Sequence, residues 1–450
     1  MNIFNKIFNK QITKALNQRG IIGSEMYNSL LKSIGFSNVN WGNNTLEDVI
    51  NKGYLLNADV YSIINLITGT ASSITWELYE VKDKKAQNKY KNFQKSADIY
   101  RSNILKEEAL EQVTNSKILD VLERPNPQQG WSEFIENVLG FKLLTGNSYI
   151  HGVSPKFGVN KEQYHELYIL PSQYTEIITG NMLKPIAGYE LNLNGIKTKF
   201  EEKEIMHLRE WNPNYTDSKF LYGLSPLQVA NRVLTLSNEN YLANMKAAQN
   251  MGAMGILSSG DNQILEPEVV EVMEKTYREK FGGANNRGKV LVTGANIKWQ
   301  NMGLSPVDLN IIQSQQMNLR TMCNVYNVNS ALLNDPENKT YNNMREAKKA
   351  LNINAVIPLL CSFRDEMNRW FIPAYNKTDN KNYYLDFDLN SIPELQDDIT
   401  LLGKRMQGEW WWTPNEKRMM MGKDVDVNDD MNKIYKPANL VELGKEEKTV

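Results

Sequence analysis

The chain has 450 residues, 41% hydrophobic and 23% charged, which excludes a disordered or fibrous protein and suits about three structural units. Lys and Arg total 51 and Asp and Glu 52, and a net charge of -1 excludes a protein that coats nucleic acid through bulk basic charge. Cys323 and Cys361 are too few for a disulfide scaffold or a four-thiolate zinc site and read as buried free thiols.

Residues 1–20 space Ile3, Phe4, Ile7, Phe8, Ile12, Ala15 and Leu16 as an amphipathic helix with Lys6, Lys10, Lys14 and Arg19, read as an arm that docks on a neighbouring subunit, the alternative being a membrane-surface helix. They lack the apolar core and cleavage site of a signal peptide, and no apolar run reaches the roughly 20 residues that span a bilayer. The expectation is an intracellular, soluble protein with no membrane partner. Ala58 to Ile74 predicts a helix and Thr75 to Val81 a strand. The lysine-rich run after them (Lys82, Lys84, Lys85, Lys89, Lys91, Lys95) predicts a solvated loop or helix face. Arg124 to Pro127 is a turn, Trp131 to Leu144 a helix, and Gly146-Asn147 turns the chain into a strand over Ser148 to Val153. Short strands follow at Leu167 to Leu170, Tyr174 to Ile178, Ile186 to Leu191 and Ile205 to Leu208, so the fold class is α+β.

Ser225 and Pro226 start one long helix to Gly252. A compact insert is then expected: strand Ala253 to Ser258, helix Pro267 to Phe281, and strands Lys289 to Val292 and Ile297 to Asn301. A second long helix is predicted from Ser305-Pro306 to Tyr326. The polar stretch Asn334 to Asn343 leads into a third, Met344 to Phe371, interrupted at Pro358. Tyr383 to Leu389 reads as a strand, and a helical tail from 391 carries Trp410, Trp411 and Trp412.

Catalytic motifs are sparse. His151, His165 and His207 are the only histidines, and there is no H-E-x-x-H, Walker lysine motif or G-x-S-x-G elbow. Gly282, Gly283 and Gly288 lack dinucleotide spacing. Asp386 and Asp388 stand two apart on the predicted strand, hence on one side of it. They are expected to form a solvated face; the alternative is acid/base or metal chemistry. The expectation is no catalytic residue, metal or cofactor.

Nine motifs, in order, resemble those of tailed-phage portal proteins of the HK97-like family. They are Leu122 to Pro127, Leu144 to Ile150 (LTGNSYI), Leu170-Pro171, His207-Leu208-Arg209 before Leu221 to Leu227 (LYGLSPL), Asn250 to Leu257, Gly288 to Val292, Leu304 to Asp308, Val325 to Leu333 and Thr413 to Arg418. The resemblance covers residues 50 to 430. Asn329-Ser330 stands where the family has two prolines, and Asn327 and Asn334 replace two glycines.

The resemblance implies a non-enzymatic ring, usually of twelve subunits, at one capsid vertex, through which double-stranded DNA is packaged and ejected. It implies a wing at 1–223 and 329–385, a stem at 224–252 and 305–328, a clip at 253–304 and a crown at 386–450. It places a channel loop at 334–343, with Asn338, Lys339, Thr340, Tyr341, Asn342, Asn343 and Arg345 as the residues facing DNA; Arg345 has an alternative in an ion pair with Glu337 or Glu346 of an adjacent copy. Implied partners are other copies of the chain, double-stranded DNA, the terminase (packaging ATPase), the major capsid protein and the head-tail connector. The implied location is the virion, after assembly in the host cytoplasm. The alternatives are a hydrolase of cell-wall or phage polymers using Asp386 and Asp388, or a low-order DNA-binding adaptor.

Overall fold

The computed structural model describes residues 45–95, 105–106, 108–155, 157–158, 161–181, 183–249, 255–259, 271–272, 275, 297–301, 310–335, 341–395, 404, 406–420 and 425–435. The predicted N-terminal arm, most of the predicted helix Pro267 to Phe281 and the strand Lys289 to Val292 lie outside these residues.

In chain order the described elements are helix α1 (Ala58–Ser72), strand β1 (Trp76–Val81), α2 (Lys84–Lys95), β2 (Leu110–Gln112), α3 (Lys117–Glu123), α4 (Trp131–Thr145), β3 (Asn147–Val153), β4 (Glu166–Leu170), β5 (Thr175–Thr179), β6 (Ile186–Leu193), β7 (Ile196–Glu201) and β8 (Ile205–Arg209). After these come α5 (Asn231–Gln249), β9 (Gly255–Ser259), β10 (Ile297–Asn301), α6 (Ile311–Val325), α7 (Tyr341–Leu351), α8 (Ile357–Trp370), α9 (Ile372–Asp379), β11 (Tyr383–Phe387) and α10 (Pro414–Met420). The strands form small antiparallel sheets, ordered β11-β1-β2, β4-β3-β8 and β5-β6-β7, with β9 and β10 as a separate pair. The mixture is the expected α+β class.

The core follows from helical periodicity. Val60, Ile63, Ile64 and Ile67 of α1 are buried at i, i+3, i+4 and i+7, and Phe134, Ile135, Val138 and Leu139 of α4, at i, i+1, i+4 and i+5, likewise share one helical face. They meet Leu360, Phe363 and Met367 of α8 in one cluster. Full burial of such a side chain contributes about 1.5–3 kcal/mol. Asn57 caps α1 through the backbone amides of Asp59 and Val60. On α2, Ala86, Tyr90 and Gln94 turn inward, while Lys84, Lys85 and Lys89 are exposed, as the sequence led one to expect.

Several boundaries differ from the sequence reading. The long helix from Pro226 is broken at Ala230, whose ψ of 7° leaves the helical range, so a single turn (Pro226–Val229) precedes α5. The second long helix is described from Ile311, preceded by a left-handed Asn310 at φ 51°, and its predicted start at Ser305-Pro306 lies outside the described residues. The third starts early, at Tyr341. Proline 358 has no N–H to give to the preceding turn, and the helix passes through a π turn, Asn352–Val356, before resuming as α8. Strand β7 was missed, although Asn194-Gly195 (φ 50° and 84°) is the hairpin signal that joins it to β6. Ser172–Tyr174 is a 3-10 turn, and β5 begins one residue later than expected. Trp410, Trp411 and Trp412 occupy a turn before α10 rather than a helix.

One joint holds α4, β3, β8 and the start of the Pro226 helix. Gly146 closes α4 in a left-handed conformation (φ 74°), and its carbonyl accepts from the Glu210 amide at 2.8 Å. Gly223 lies against it so closely that a Cβ there would sit 1.9 Å from the Gly146 oxygen, and a Cβ on Gly146 would sit 2.5 Å from the Leu224 carbonyl carbon. Asn147 bridges the two chain segments: its Oδ1 accepts from the Gly223 amide at 2.6 Å, and its Nδ2 donates to the Gly223 carbonyl at 3.2 Å. Ser225 donates to the Leu144 carbonyl at 2.6 Å and caps the following turn through the Gln228 amide. Buried Lys142 adds an ion pair to Glu210 at 3.0 Å and a bond to Ser362 of α8 at 3.0 Å.

His207 of β8 completes the joint. Its Nε2 lies 3.0 Å from Asn147 Oδ1, and since that oxygen is an acceptor, Nε2 carries the proton. Burial, reinforced by the Arg209 charge, holds the imidazole pKa down at about 3. The unfolded chain therefore takes up a proton between the ordinary histidine value and about 3 while the folded chain does not, so stability falls as pH drops through that window. His207 is only part-buried, which keeps the effect on the order of 1–2 kcal/mol. His207→Gln, which keeps an N–H donor to Asn147, is expected to flatten this part of the curve in urea titrations run between pH 7 and pH 4.

Candidate functional site: the polar segment and its anchor

The polar segment begins where α6 has ended. Tyr326 closes α6, Asn327 turns left-handed (φ 56°), and Ser330–Leu333 form a 3-10 turn capped by Asn329 through the Ala331 amide. Asn334 is again left-handed (φ 62°), so the two asparagines adopt the conformation glycines favour. Asp335 then folds back onto α6. Arg320 grips it with both arms of the guanidinium, Nε to Oδ2 at 2.7 Å and Nη2 to Oδ1 at 2.9 Å, and the Ser330 hydroxyl donates to Oδ2 at 2.8 Å. Only 2% of the Asp335 side chain is exposed.

Of the candidate residues, Asn338, Lys339 and Thr340 lie outside the described residues. Tyr341, Asn342 and Asn343 open α7 instead of extending the loop, and Arg345 follows in its second turn. Asn343 and Arg345 are exposed, while Ala347 and Leu351 anchor α7 in the protein. The structure thus brings Tyr341 to Arg345 together on one short helical stretch. Sequence reasoning missed Arg320, Ser330 and Asp335, because an arginine 15 residues before an aspartate carries no local signal of pairing.

Asp386 and Asp388 do not form the expected solvated face. Strand β11 ends at Phe387, and Asp386 and its partner Arg364 of α8 are both fully buried, 3.4 Å apart. Asp386 Oδ1 also accepts from Gln94 Nε2 and from the Phe387 amide, each at 2.9 Å, and Arg364 Nη1 donates to Gln94 Oε1. This network ties α2, α8 and β11 together. Asp388 lies beyond the strand, where it caps the turn at Asn390 and pairs with Lys106 at 3.4 Å. The two carboxylates have separate structural partners, which does not favour the hydrolase alternative. Among the described residues no three or more His, Cys, Asp or Glu groups converge to hold a metal ion, and no helix is long and apolar enough to cross a membrane. Cys323 and Cys361 are buried free thiols, as expected.

The sequence profile of the phage portal protein family matches residues 95–422. This chain belongs to that family. The portal chain is 28% identical over 380 residues to an uncharacterized protein of Rickettsia bellii (strain RML369-C), covering 82% of this chain and 87% of the relative. It is 28% identical over 414 residues to an uncharacterized protein of Rickettsia felis (strain ATCC VR-1525 / URRWXCal2), covering 90% and 97%. In fold it is similar to a chain from the neck of an empty gene transfer agent (GTA) particle computed with C6 symmetry, with a TM-score of 0.60, 24% identity, and coverage of 86% of this chain and 95% of the other. It is also similar to an HK97-family phage portal protein from Corynebacterium diphtheriae, with a TM-score of 0.52, 14% identity and coverage of 79% and 98%.

For the portal chain, the buried Asp386–Arg364 pair and the half-wet Asp388 predict different responses to substitution. Asp386→Asn removes the fully buried countercharge of Arg364, which keeps only the half-exposed Asp365 at 2.9 Å, and is expected to cost up to about 3 kcal/mol. Asp388→Asn keeps the turn cap, loses a partly exposed ion pair and is expected to cost less than about 1 kcal/mol. Chemical denaturation of the two variants measures the difference.

Proposed function

We propose that this portal chain assembles as a ring of twelve at one capsid vertex, and that double-stranded DNA is packaged and ejected through its bore. The observation that carries this reading is the family match over residues 95–422, joined to the fold likeness to a GTA neck chain over 86% of this chain. A related neck structure is computed with C12 symmetry. A head-to-tail interface that closes into a ring turns each side chain into a ring of identical groups.

In this reading the wing is 1–223 and 329–385, the stem 224–252 and 305–328, the clip 253–304 and the crown 386–450. Supporting the stem assignment, α5 and α6 pack side by side through Asn240 and Ser314, whose Nδ2 and Oγ are 3.0 Å apart. The bore is narrowed by segment 334–343 with Asn338, Lys339, Thr340, Tyr341, Asn342, Asn343 and Arg345 towards the DNA. Passage demands weak contacts, since affinity for phosphate grows with every charge neutralised and would stall the duplex. Amides and hydroxyls make exchangeable contacts with phosphates, and Lys339 and Arg345 supply a modest positive ring. The partners are the terminase, which supplies the ATPase, the major capsid protein and the head-tail connector. The ring belongs to the virion and is built in the host cytoplasm.

The solution mass of the purified chain, with negative-stain images of the same sample, tests this. The expected result is a species of about 620 kDa with a central hole, twelve times the 51.7 kDa chain. A species that stays at 51.7 kDa at high concentration over a range of salt, without rings, contradicts it.

A further inference from the structure

We infer that neighbouring copies of the portal chain meet as plug and socket: Leu55 and Leu56 of one copy enter the apolar cleft at whose mouth Trp211 stands on the next. The contact rests on the ring proposed above and assigns the two surfaces that close it.

The socket lies beside the Gly146–Gly223 joint. It is a cleft of about 650 Å³ walled by Pro226 and Val229 of the turn before α5, Val325 at the end of α6, and Pro358 and Leu359 of α8. Clefts of a few hundred Å³ enclose whole ligands, so two leucine side chains fit. Trp211, at its mouth, is 81% exposed. Tryptophan is enriched at the energetic centres of protein interfaces, and here it adjoins a loop already held in place. Asn212 Nδ2 donates to the Lys219 carbonyl at 2.9 Å and to the Tyr222 carbonyl at 3.0 Å. A loop ordered beforehand loses little freedom on binding.

The plug is equally fixed. The π turn Ile50–Tyr54 leads into Leu55 and Leu56, 65% and 74% exposed, and the exposed Tyr61 of α1 stacks on Tyr54 with ring centroids 5.1 Å apart. Next in the chain, Asn57 fastens the plug to α5: its Nδ2 donates to Ser237 Oγ at 3.1 Å and to Asn238 Oδ1 at 2.8 Å. Val229 borders the socket and Ser237 the plug, so the two surfaces sit on the order of 10 Å apart along α5. They face different ways. Ile67 lines the socket and Tyr61 belongs to the plug, and at about 100° per residue these positions stand about 120° apart round α1.

Two unlike surfaces near one level of the chain are what a head-to-tail contact needs, whereas a two-fold contact requires a surface that matches itself. Charge gives the pairing its direction. The half-exposed Glu210 lines the socket, and the half-exposed Lys52 stands one turn before the plug. Lys52 pairs with Asp48 at 3.0 Å within its own copy, a surface contact weak enough to exchange for a neighbour's carboxylate. Burial of the leucines supplies the attraction, and the opposite charges set which face meets which.

The test uses the full chain with Leu56→Cys and Val229→Cys, together and singly. Both positions are exposed, and the native Cys323 and Cys361 are buried, so the substitutions spare the core and the background is silent. Assembled samples are treated with a short bismaleimide, whose span relaxes the close Cα spacing that a disulfide demands, and run on denaturing gels. The expected result is a ladder of covalent multimers from the double variant and a single band from each single variant. Rings mixed from the two single variants give a covalent dimer and nothing larger, because each plug then has one reactive socket and each socket one reactive plug. In parallel, Leu56→Asp and Trp211→Ala each leave about ten-fold less ring or lower at equal chain concentration, with urea midpoints unchanged. Rings of the double variant without the ladder overturn the contact, as do dimers from either single variant alone, which mark a two-fold contact. Normal ring yield in both Leu56→Asp and Trp211→Ala overturns it as well. If one of these two loses urea stability, the other and the cross-link decide. An unmodified chain that forms no ring sinks the proposed function and this contact together, whereas rings without the ladder sink the contact alone.

Discussion

The back-to-back contact of Gly146 and Gly223 is the constraint on which the arrangement of the helices depends. Neither position has room for a Cβ, and Gly146 is in addition left-handed. Their approach lets Asn147 satisfy the Gly223 amide and carbonyl at once, and it brings Ser225 to the carbonyl at the end of α4. The direction in which the chain departs at Pro226 is thereby set by α4, the most deeply packed helix beside α1 and α8. Two family motifs, LTGNSYI and LYGLSPL, are the two halves of this joint. The polar groups within it are buried, and an unmade bond among them would cost about 1–3 kcal/mol. That is a physical reason for both motifs to keep glycine, asparagine and serine.

A second constraint appears after α6, whose closing Tyr326 donates to the Leu143 carbonyl at 3.2 Å beside the same joint. The loop after α6 is turned by two left-handed asparagines, where the related pattern has glycine, and is tied down by Arg320 and Asp335. The Gln94–Asp386–Arg364 network does a similar service for the sheet of β1, β2 and β11 by fastening α2 across it. In both places charge is used in a pair.

What could be read from the sequence was whatever depends on local period or local sterics. The apolar repeats of α1 and α4, the Ser225 cap and the Gly146 turn were all legible, and with them the α+β class. The break at Ala230 was not, because alanine carries no stop signal. Strand β7 is polar and largely exposed, so it lacks the apolar alternation that marks a strand, although its Asn-Gly turn was there to be used. Asp386 was misread for a different reason. Alternation on a strand says that two residues share a side, not whether that side is covered, and the covering residues Gln94 and Arg364 lie far away in the chain. The same holds for the anchor at Asp335. The polar segment itself was visible as a run of amides and charges, but its helical start at Tyr341 depends on the packing of Ala347 and Leu351.

The central claim is that the segment held by Asp335 narrows the bore of a ring of these chains. A side-chain-resolution reconstruction of the assembled ring with DNA in its channel tests it most directly. The account predicts that residues 338–345 are the protein groups nearest the duplex, twelve copies around one axis. A bore walled by other residues, with 338–345 on the outer surface, contradicts it.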